Sequence, residues 1–464
     1  MSNTPHTPFD LRALHDAEVT DPLALIGQHI NPTYSKVLKI LGYDINYTHG
    51  RGAYLYDGET QYIDGLGGFG VFACGRNHPV IRDALKQAMD MDLPNLPKFG
   101  PTRLSGLLAK QLVDIAPGDL NTVYYCNSGA ESVETAIKYA RAATGRDRIV
   151  YCKKAYHGLT MGALALNGSK DFREGFGSML DNCVDVPFND LEALEEKLRR
   201  GDVAGFIVEP IQGKGVFLPD DDYLPGAVEL CHKYGAVFIA DEVQTGFGRT
   251  GKMFACEHWG VEPDIMCVSK ALSGGYVPVG ATLSKRWVHN KVFSTMDRVL
   301  VHSTTFGQND LAMAAGLATL HVLKTEKIVE NSATMGERLI GRFQQIVDKY
   351  DMAKQVRGKG LMVALEYGPP KGITLKAGWA LLHKLDQGLF PQAILIPLLS
   401  DHRILAQVAG HHMDVIKLTP PLVLSEADVD HIADAIETVT AACHKFPGPV
   451  WEVGKRLSQA VLKR

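Results

Sequence analysis

The chain has 464 residues, long enough for a large core and more than one domain. A formal charge of -4 provides no basic footprint for nucleic acid or an anionic membrane, and the 45% apolar and 22% charged content is that of an ordinary globular protein. No apolar run approaches the ~18 residues a membrane helix needs, and the opening MSNTPHTPFDLRALHDAE has no apolar leader core, so a cytoplasmic protein is expected.

Residues 10–48 carry helical patterns and aromatic residues but no motif. AYLYDGETQYIDGLGG then alternates apolar and polar residues around Asp57-Gly58, which predicts a hairpin. The Gly-rich GLGGFGVFACGRNHP reads as a loop, and Pro79 opens a helix in the position proline favours. LPNLPKFGPT is a connector, and a helix is predicted from about Arg103 to Ile115.

From Asn121 the rhythm becomes strand–loop–helix. Strands are predicted at Thr122 to Cys126, Arg148 to Tyr151, Val203 to Val208, Val237 to Ala240, Ile265 to Val268 and near Val279 to Leu283. Helices are predicted over Glu131 to Ala143 and Tyr223 to Tyr234. Strands alternating with helices predict an α/β fold with a mostly parallel sheet. After Asn309 the character turns to α+β. A long helical region runs from Leu311 to about Tyr350, followed by strands in GLMVALEYG, AILIPLL and DVIKLTPPL and a helix near Glu426 to His444. The eight cysteines form no C-x-x-C pair, and several lie in apolar runs, so buried free thiols are expected rather than disulfides or zinc.

Several predicted strands end in polar residues, where open α/β sheets place their ligands. Asp241-Glu242 ends one and Ser269-Lys270 another. A buried aspartate needs a cationic or hydrogen-bonded partner. Asp241 and Lys270 therefore either pair with each other or meet opposite ends of one ligand. A protonated pyridine nitrogen would satisfy the aspartate, and an aldehyde would capture the lysine as a Schiff base. Ser128-Gly129-Ala130, between a strand and a helix, suits a phosphate or is simply a tight turn. Tyr156-His157-Gly158 offers an aromatic that either stacks on a flat ligand or packs. Glu209 ends a further strand and is solvated or paired with a cation. Pyridoxal 5'-phosphate carries the phosphate, pyridine nitrogen, flat ring and aldehyde that such a set would receive.

DEVQTGFGRTG and SKALSGGYVPVGA, with NSGAES, AYHG and EPIQG upstream in the same order, resemble the class III aminotransferases of the ornithine, 4-aminobutyrate and putrescine type. The resemblance spans about Tyr54 to Leu424. It implies pyridoxal-phosphate fold type I, with a large domain built on a mostly parallel sheet and a smaller α+β domain made from both termini. The corresponding parts are 1–75, an N-terminal segment of the smaller domain; 76–325, the large cofactor-binding domain; and 326–464, the C-terminal smaller domain. The family implies that Lys270 forms the internal aldimine and shuttles protons, and that Asp241 keeps the pyridine nitrogen protonated. Gln244 would lie near the ring hydroxyl, Val243 under one ring face and Tyr156, followed by His157, on the other. Ser128, Gly129 and Ala130 would hold the phosphate. HSTTFGQND resembles the segment that reaches into the neighbouring subunit, which implies a homodimer with Thr305 as a phosphate ligand in trans.

Two departures bear on substrate. Relatives that use ornithine or 4-aminobutyrate commonly carry arginine where this chain has Leu159, and a second arginine where it has Lys417. Leucine cannot bind a carboxylate, and lysine does so without the bidentate fork. Lys417 is then a surface lysine near the site or a weaker carboxylate anchor partnered by Glu209; Arg403 is another candidate anchor. Phe69 and Phe72 belong to an apolar pocket or to the core. The expectation is a ping-pong transaminase that moves an amino group between a primary amine, such as a diamine or an apolar amine, and a 2-oxo acid or aldehyde. An ornithine or 4-aminobutyrate-type amino-acid transaminase, a decarboxylase or an aminomutase of the same family are the alternatives.

Overall fold

The computed structural model describes residues 9–16, 21–385, 388–410, 413–445 and 448, so much of the polar opening stretch lies outside the described residues. Three helices within 11–41 come first, and three short strands follow. β1 (His49–Arg51), β2 (Tyr54–Asp57) and β3 (Thr60–Asp64) form an antiparallel meander, with the predicted Asp57-Gly58 turn between β2 and β3. A seven-stranded sheet follows, made of β4 (Thr122–Cys126), β5 (Arg148–Cys152), β6 (Cys183–Val186), β7 (Val203–Val208), β8 (Val237–Asp241), β9 (Ile265–Val268) and β10 (Gly280–Ser284). Their spatial order is β4-β10-β9-β8-β7-β5-β6. β10 runs antiparallel to both neighbours, and the remaining pairs are parallel.

The central strands are apolar throughout because helices cover both faces. Alternate residues go to opposite sides, as strand pleating requires. Val237, Ile239, Ile265 and Cys267 pack under the helix Gly129–Thr144, against Val133, Ile137 and Ala140. Phe238, Ala240, Met266 and Val268 join the larger core on the other side, with Leu224, Ala227, Ala312 and Met313 from two further helices.

The rest of the chain supplies β11 (Ala353–Lys359), β12 (Met362–Tyr367), β13 (Ile404–Leu405), β14 (Gln407–Val408) and β15 (Val415–Leu418). Four of these form an antiparallel sheet, β11-β12-β15-β14. β13 instead pairs parallel with β3, which ties the late chain to the early meander.

Two expectations are corrected. AILIPLL is not a strand but part of the helix Leu389–Ser400. A continuous apolar run does not separate a buried strand from a buried helix. Here burial on all sides, from Phe390 and Ile394 to Leu398, suits a helix even with Pro397 inside it. The long helical region is two helices, Asp310–Thr325 and Ile328–Lys349, broken at Lys327, which takes the left-handed conformation (φ 53°).

Candidate active site

Asp241 ends β8, and Lys270 follows the end of β9. Asp241 lies opposite Cys267 in the parallel register, so the lysine follows just past the end of the adjoining strand. The two do not form an ion pair. Asp241 Oδ2 meets His157 Nδ1 at 2.7 Å, and Oδ1 accepts the Val243 N–H at 3.0 Å. Burial by itself lowers the His157 pKa, but the hydrogen bond and charge of Asp241, with Glu209 beyond, outweigh it and raise the pKa above the ordinary value. The pair is therefore charge-assisted, and His157 braces the carboxylate from behind. His157 Nε2 is buried without a hydrogen-bond partner among the described residues. Lys270 takes a left-handed φ of 40° at the start of a short 3-10 turn. Its pKa is lowered by burial and by the Arg249 charge, against the opposing pull of Asp241 and Glu209.

Ser128 caps the helix Gly129–Thr144, its Oγ accepting the Glu131 N–H at 3.2 Å. The turn is closely fitted. A Cβ on Gly129 would stand 2.6 Å from Val243 Cγ1, and one on Gly158 would stand 2.7 Å from the Ala130 Cβ. The turn holding Ser128, Gly129 and Ala130 is thus brought against Val243 and the Tyr156-His157-Gly158 segment. Tyr156 is held through its N–H by Glu209 Oε1 at 2.9 Å and meets Phe172 edge-on at 5.6 Å. Lys214 Nζ lies 4.0 Å from the Phe172 ring centre. Thr305 is exposed, and its carbonyl accepts a hydrogen bond from Lys98. The preceding Thr304 takes the Asn127 side-chain amide at 3.0 Å, which places this segment beside the Ser128 turn.

The opposite wall differs from expectation at Lys417. That residue is 4% exposed, which removes the surface reading. Nor does it bond to Glu209. Lys417 Nζ donates to Gln244 Oε1 and to the Gly213 carbonyl, each at 2.7 Å, while Glu209 Oε2 accepts the Gly213 N–H at 2.7 Å. The glutamate is already committed to two backbone N–H groups, so Gly213 stands between the two side chains. Gln244 Nε2 donates in turn to the Phe69 carbonyl at 3.0 Å. Phe69 and Leu159 are exposed, at 58% and 51%, and neither belongs to the core. Arg403 lies beside β13, where its carbonyl accepts the Ile63 N–H at 2.8 Å.

Arg249, in GFGRTG, escaped the reading of the sequence because its glycine-rich neighbours suggest a turn. It is 1% exposed and donates through Nη1 to the carbonyls of Leu361 and Pro420, at 2.9 and 2.6 Å, leaving Nε and Nη2 without a hydrogen-bond partner among the described residues. Burial pushes its pKa down to about 9. Its presence inside a motif that also holds Asp241 and Gln244 was the available signal.

These residues suit pyridoxal phosphate. A braced carboxylate ends one strand, a lysine of depressed basicity follows the next, and a capped helix N-terminus is lined by glycines that leave no room for a side chain. The class-III aminotransferase model matches residues 39–440. Aminotransferase PigE of a Serratia species is 34% identical over 93% of this chain, which spans about half (54%) of that relative's length. The ornithine aminotransferase of Toxoplasma gondii, 27% identical, superposes with a TM-score of 0.81 over 94% of this chain and 98% of its own. A pyridoxal-phosphate-bound amine transaminase from an uncultivated Pseudomonas species, 29% identical, has a TM-score of 0.74 over 87% and 96%. With its motifs, fold and site all in agreement, the chain belongs to the class III aminotransferases, fold type I enzymes that use pyridoxal phosphate.

Proposed function

We propose that this protein is a transaminase that takes the amino group of a primary amine with an apolar or extended body and passes it to a 2-oxo acid or aldehyde in two half-reactions. The observation that carries the reading is the division of labour between Asp241 and Lys270. They stand at the ends of adjoining strands, yet the aspartate is engaged by His157 and the lysine is left free of an ion pair among the described residues. Pyridoxal phosphate, when bound, supplies a sink for the electron pair left when the substrate's Cα–H bond breaks. Asp241, charged and braced, would keep a proton on the pyridine nitrogen. Lys270, its amine form favoured by burial, would take the Cα proton and return it at the cofactor's C4' carbon. Ser128, Gly129 and Ala130 would hold the phosphate with backbone N–H groups at the helix N-terminus. Val243 and Tyr156 would flank the ring, His157 would support it through Asp241, and Gln244 would border it.

Exposed apolar Leu159 and Phe69 support an amine without a second carboxylate, and Glu209 and Lys417 would border the same pocket. We propose a homodimer in which Thr305 serves the neighbouring subunit's site, and a cytoplasmic setting in keeping with eight cysteines that are thiols rather than disulfides, seven of them buried. We also assign residues 76–325 to the cofactor-binding domain, with 1–75 and 326–464 forming the smaller one. The pairing of β3 with β13 supports that division. No described helix is long and apolar enough to cross a membrane.

The test mixes the pyridoxal-phosphate form with putrescine, hexylamine, 4-aminobutyrate, ornithine, glutamate and alanine, and follows the cofactor spectrum. Hexylamine and putrescine are expected to react fastest. Ornithine or 4-aminobutyrate far ahead of both would reject the substrate reading. Lys270→Ala is expected to lose turnover, and multi-turnover transfer at the wild-type rate would reject the lysine's role.

A further inference from the structure

The hydrogen bonds around Lys417 form an unbroken path across the site. It runs from the Phe69 carbonyl to Gln244, from Gln244 to Lys417, from Lys417 to the Gly213 carbonyl, and from the Gly213 N–H to Glu209, whose other oxygen holds the Tyr156 N–H. The path joins the loop that presents Phe69 to the segment that presents Tyr156. The Phe69 end needs holding. Gly67, Gly68, Phe69 and Gly70 all have positive φ, and Phe69, at 61°, is the residue of the four that pays a steric cost there.

We propose that Lys417 is a positioning residue, holding Gln244 and Gly213 so as to fix the Phe69 side of the substrate pocket, and is not a carboxylate anchor. Both of its acceptors are uncharged carbonyl oxygens. A neutral amine has two N–H groups, and both are used; an ammonium has three, and the third would have no partner in a buried site. The titratable groups that face Lys417 are Lys270, Glu209 and Arg249; Lys270 and Arg249 oppose a charge on it, and Glu209, which favours one, is already engaged by two backbone N–H groups. Its strand neighbours, Ala364 on β12 and Gln407 on β14, carry no charge. Burial first, and then Lys270, push its pKa down to about 7. A substrate carboxylate would therefore have to compete with two short hydrogen bonds and draw a proton onto a desolvated amine. An apolar amine asks for neither.

The inference rests on the transaminase reading for its substrate consequence but not for the tie itself, and the test separates the two. Hydrogen–deuterium exchange of the amides over 66–72 is measured in the holoenzyme for the wild type, Lys417→Met, Gln244→Met and Lys417→Arg, alongside KM and kcat for hexylamine. Losing the tie is expected to speed exchange over 66–72 roughly five- to tenfold in both methionine variants. KM for hexylamine should rise about tenfold in Lys417→Met with kcat less affected, and Lys417→Arg, which keeps the donors, should restore the protection. Unchanged exchange and unchanged hexylamine KM in Lys417→Met, with losses confined to carboxylate-bearing amines, would overturn the proposal. So would faster exchange throughout the chain in Lys417→Met while Gln244→Met leaves 66–72 protected. A wild-type enzyme that transfers no amine would sink the transaminase reading, and the exchange measurement would still decide the tie.

Discussion

Asp241 and His157 form the most buried charged pair at the site, 4% and 3% exposed and 2.7 Å apart. Asp241→Asn keeps the shape but removes the charge that would hold a proton on the pyridine nitrogen. Transfer is expected to fall by about 10²–10⁴-fold, the range for a positioned acid or base, while cofactor still binds. Near wild-type kcat in a cofactor-saturated Asp241→Asn enzyme would show that the charge is not used. Lys417 makes a separate prediction about stability. Its pKa falls from 10.5 unfolded to about 7 folded. Between those values the unfolded chain binds the extra proton, so stability rises with pH through that window, at up to about 1.4 kcal/mol per pH unit from this group. Below about pH 7 the folded protein must itself charge the buried amine, and the slope ends. Lys417→Met should flatten the rise seen by urea denaturation between pH 7 and 9. An unaltered slope would mean the amine is not buried in this way.

At the level of elements, the turn from β4 into the helix Gly129–Thr144 depends on small residues. Gly129→Ala would place a methyl 2.6 Å from Val243 Cγ1, forcing the helix start away from β8. Overpacking of this kind costs about 1–3 kcal/mol, so the cofactor dissociation constant should rise roughly tenfold or more in a fluorescence titration of the apo protein. Unchanged affinity would place the phosphate elsewhere. This turn also shows what a sequence discloses. β4, β7 and β9 have the bounds expected of them, because short apolar runs between breakers leave few alternatives. The Ser128 turn and the strand-end positions of Asp241 and Lys270 were legible for the same reason. AILIPLL was not, since a run buried on every side has no period to read, and the break at Lys327 lies between two helical patterns with no glycine or proline to mark it. Partnerships across the site were less legible still. Lys417 and Gly213 are neighbours only because β15 packs beside the loop after β7, and the bond from His157 to Asp241 joins segments far apart in sequence.

On the scale of the whole molecule, several large apolar side chains stand exposed on the loops around Phe99 and Thr305 and in 296–300. Phe99 and Met296 are each 94% exposed, and Leu300, Val299 and Phe306 are about two-thirds exposed, at 63%, 62% and 60%. A chain that stays single rarely leaves such residues together in water. The segments are also tied to one another. Lys98 donates to the carbonyls of Thr304 and Thr305, Thr102 bonds to Gln308 at 2.9 Å, and Asn95 and Asp310 exchange hydrogen bonds at 3.0 and 3.1 Å. The Phe99 and Thr305 loops therefore form one surface, and Asn127 joins it to the Ser128 turn. If a second copy covers this surface, subunit association and the phosphate site are coupled. Phe99→Asp would put a charge in place of the most exposed phenyl ring on this surface, and burying an unpaired carboxylate under a second copy costs several kcal/mol. Sedimentation is expected to show monomers in that variant, with transfer lost and cofactor affinity reduced even though Lys270, Asp241 and Ser128 are untouched. A Phe99→Asp protein that sediments as the wild type does and keeps its activity would place the subunit contact elsewhere. One that is monomeric and fully active would show that each chain's site is complete without Thr305 of a partner.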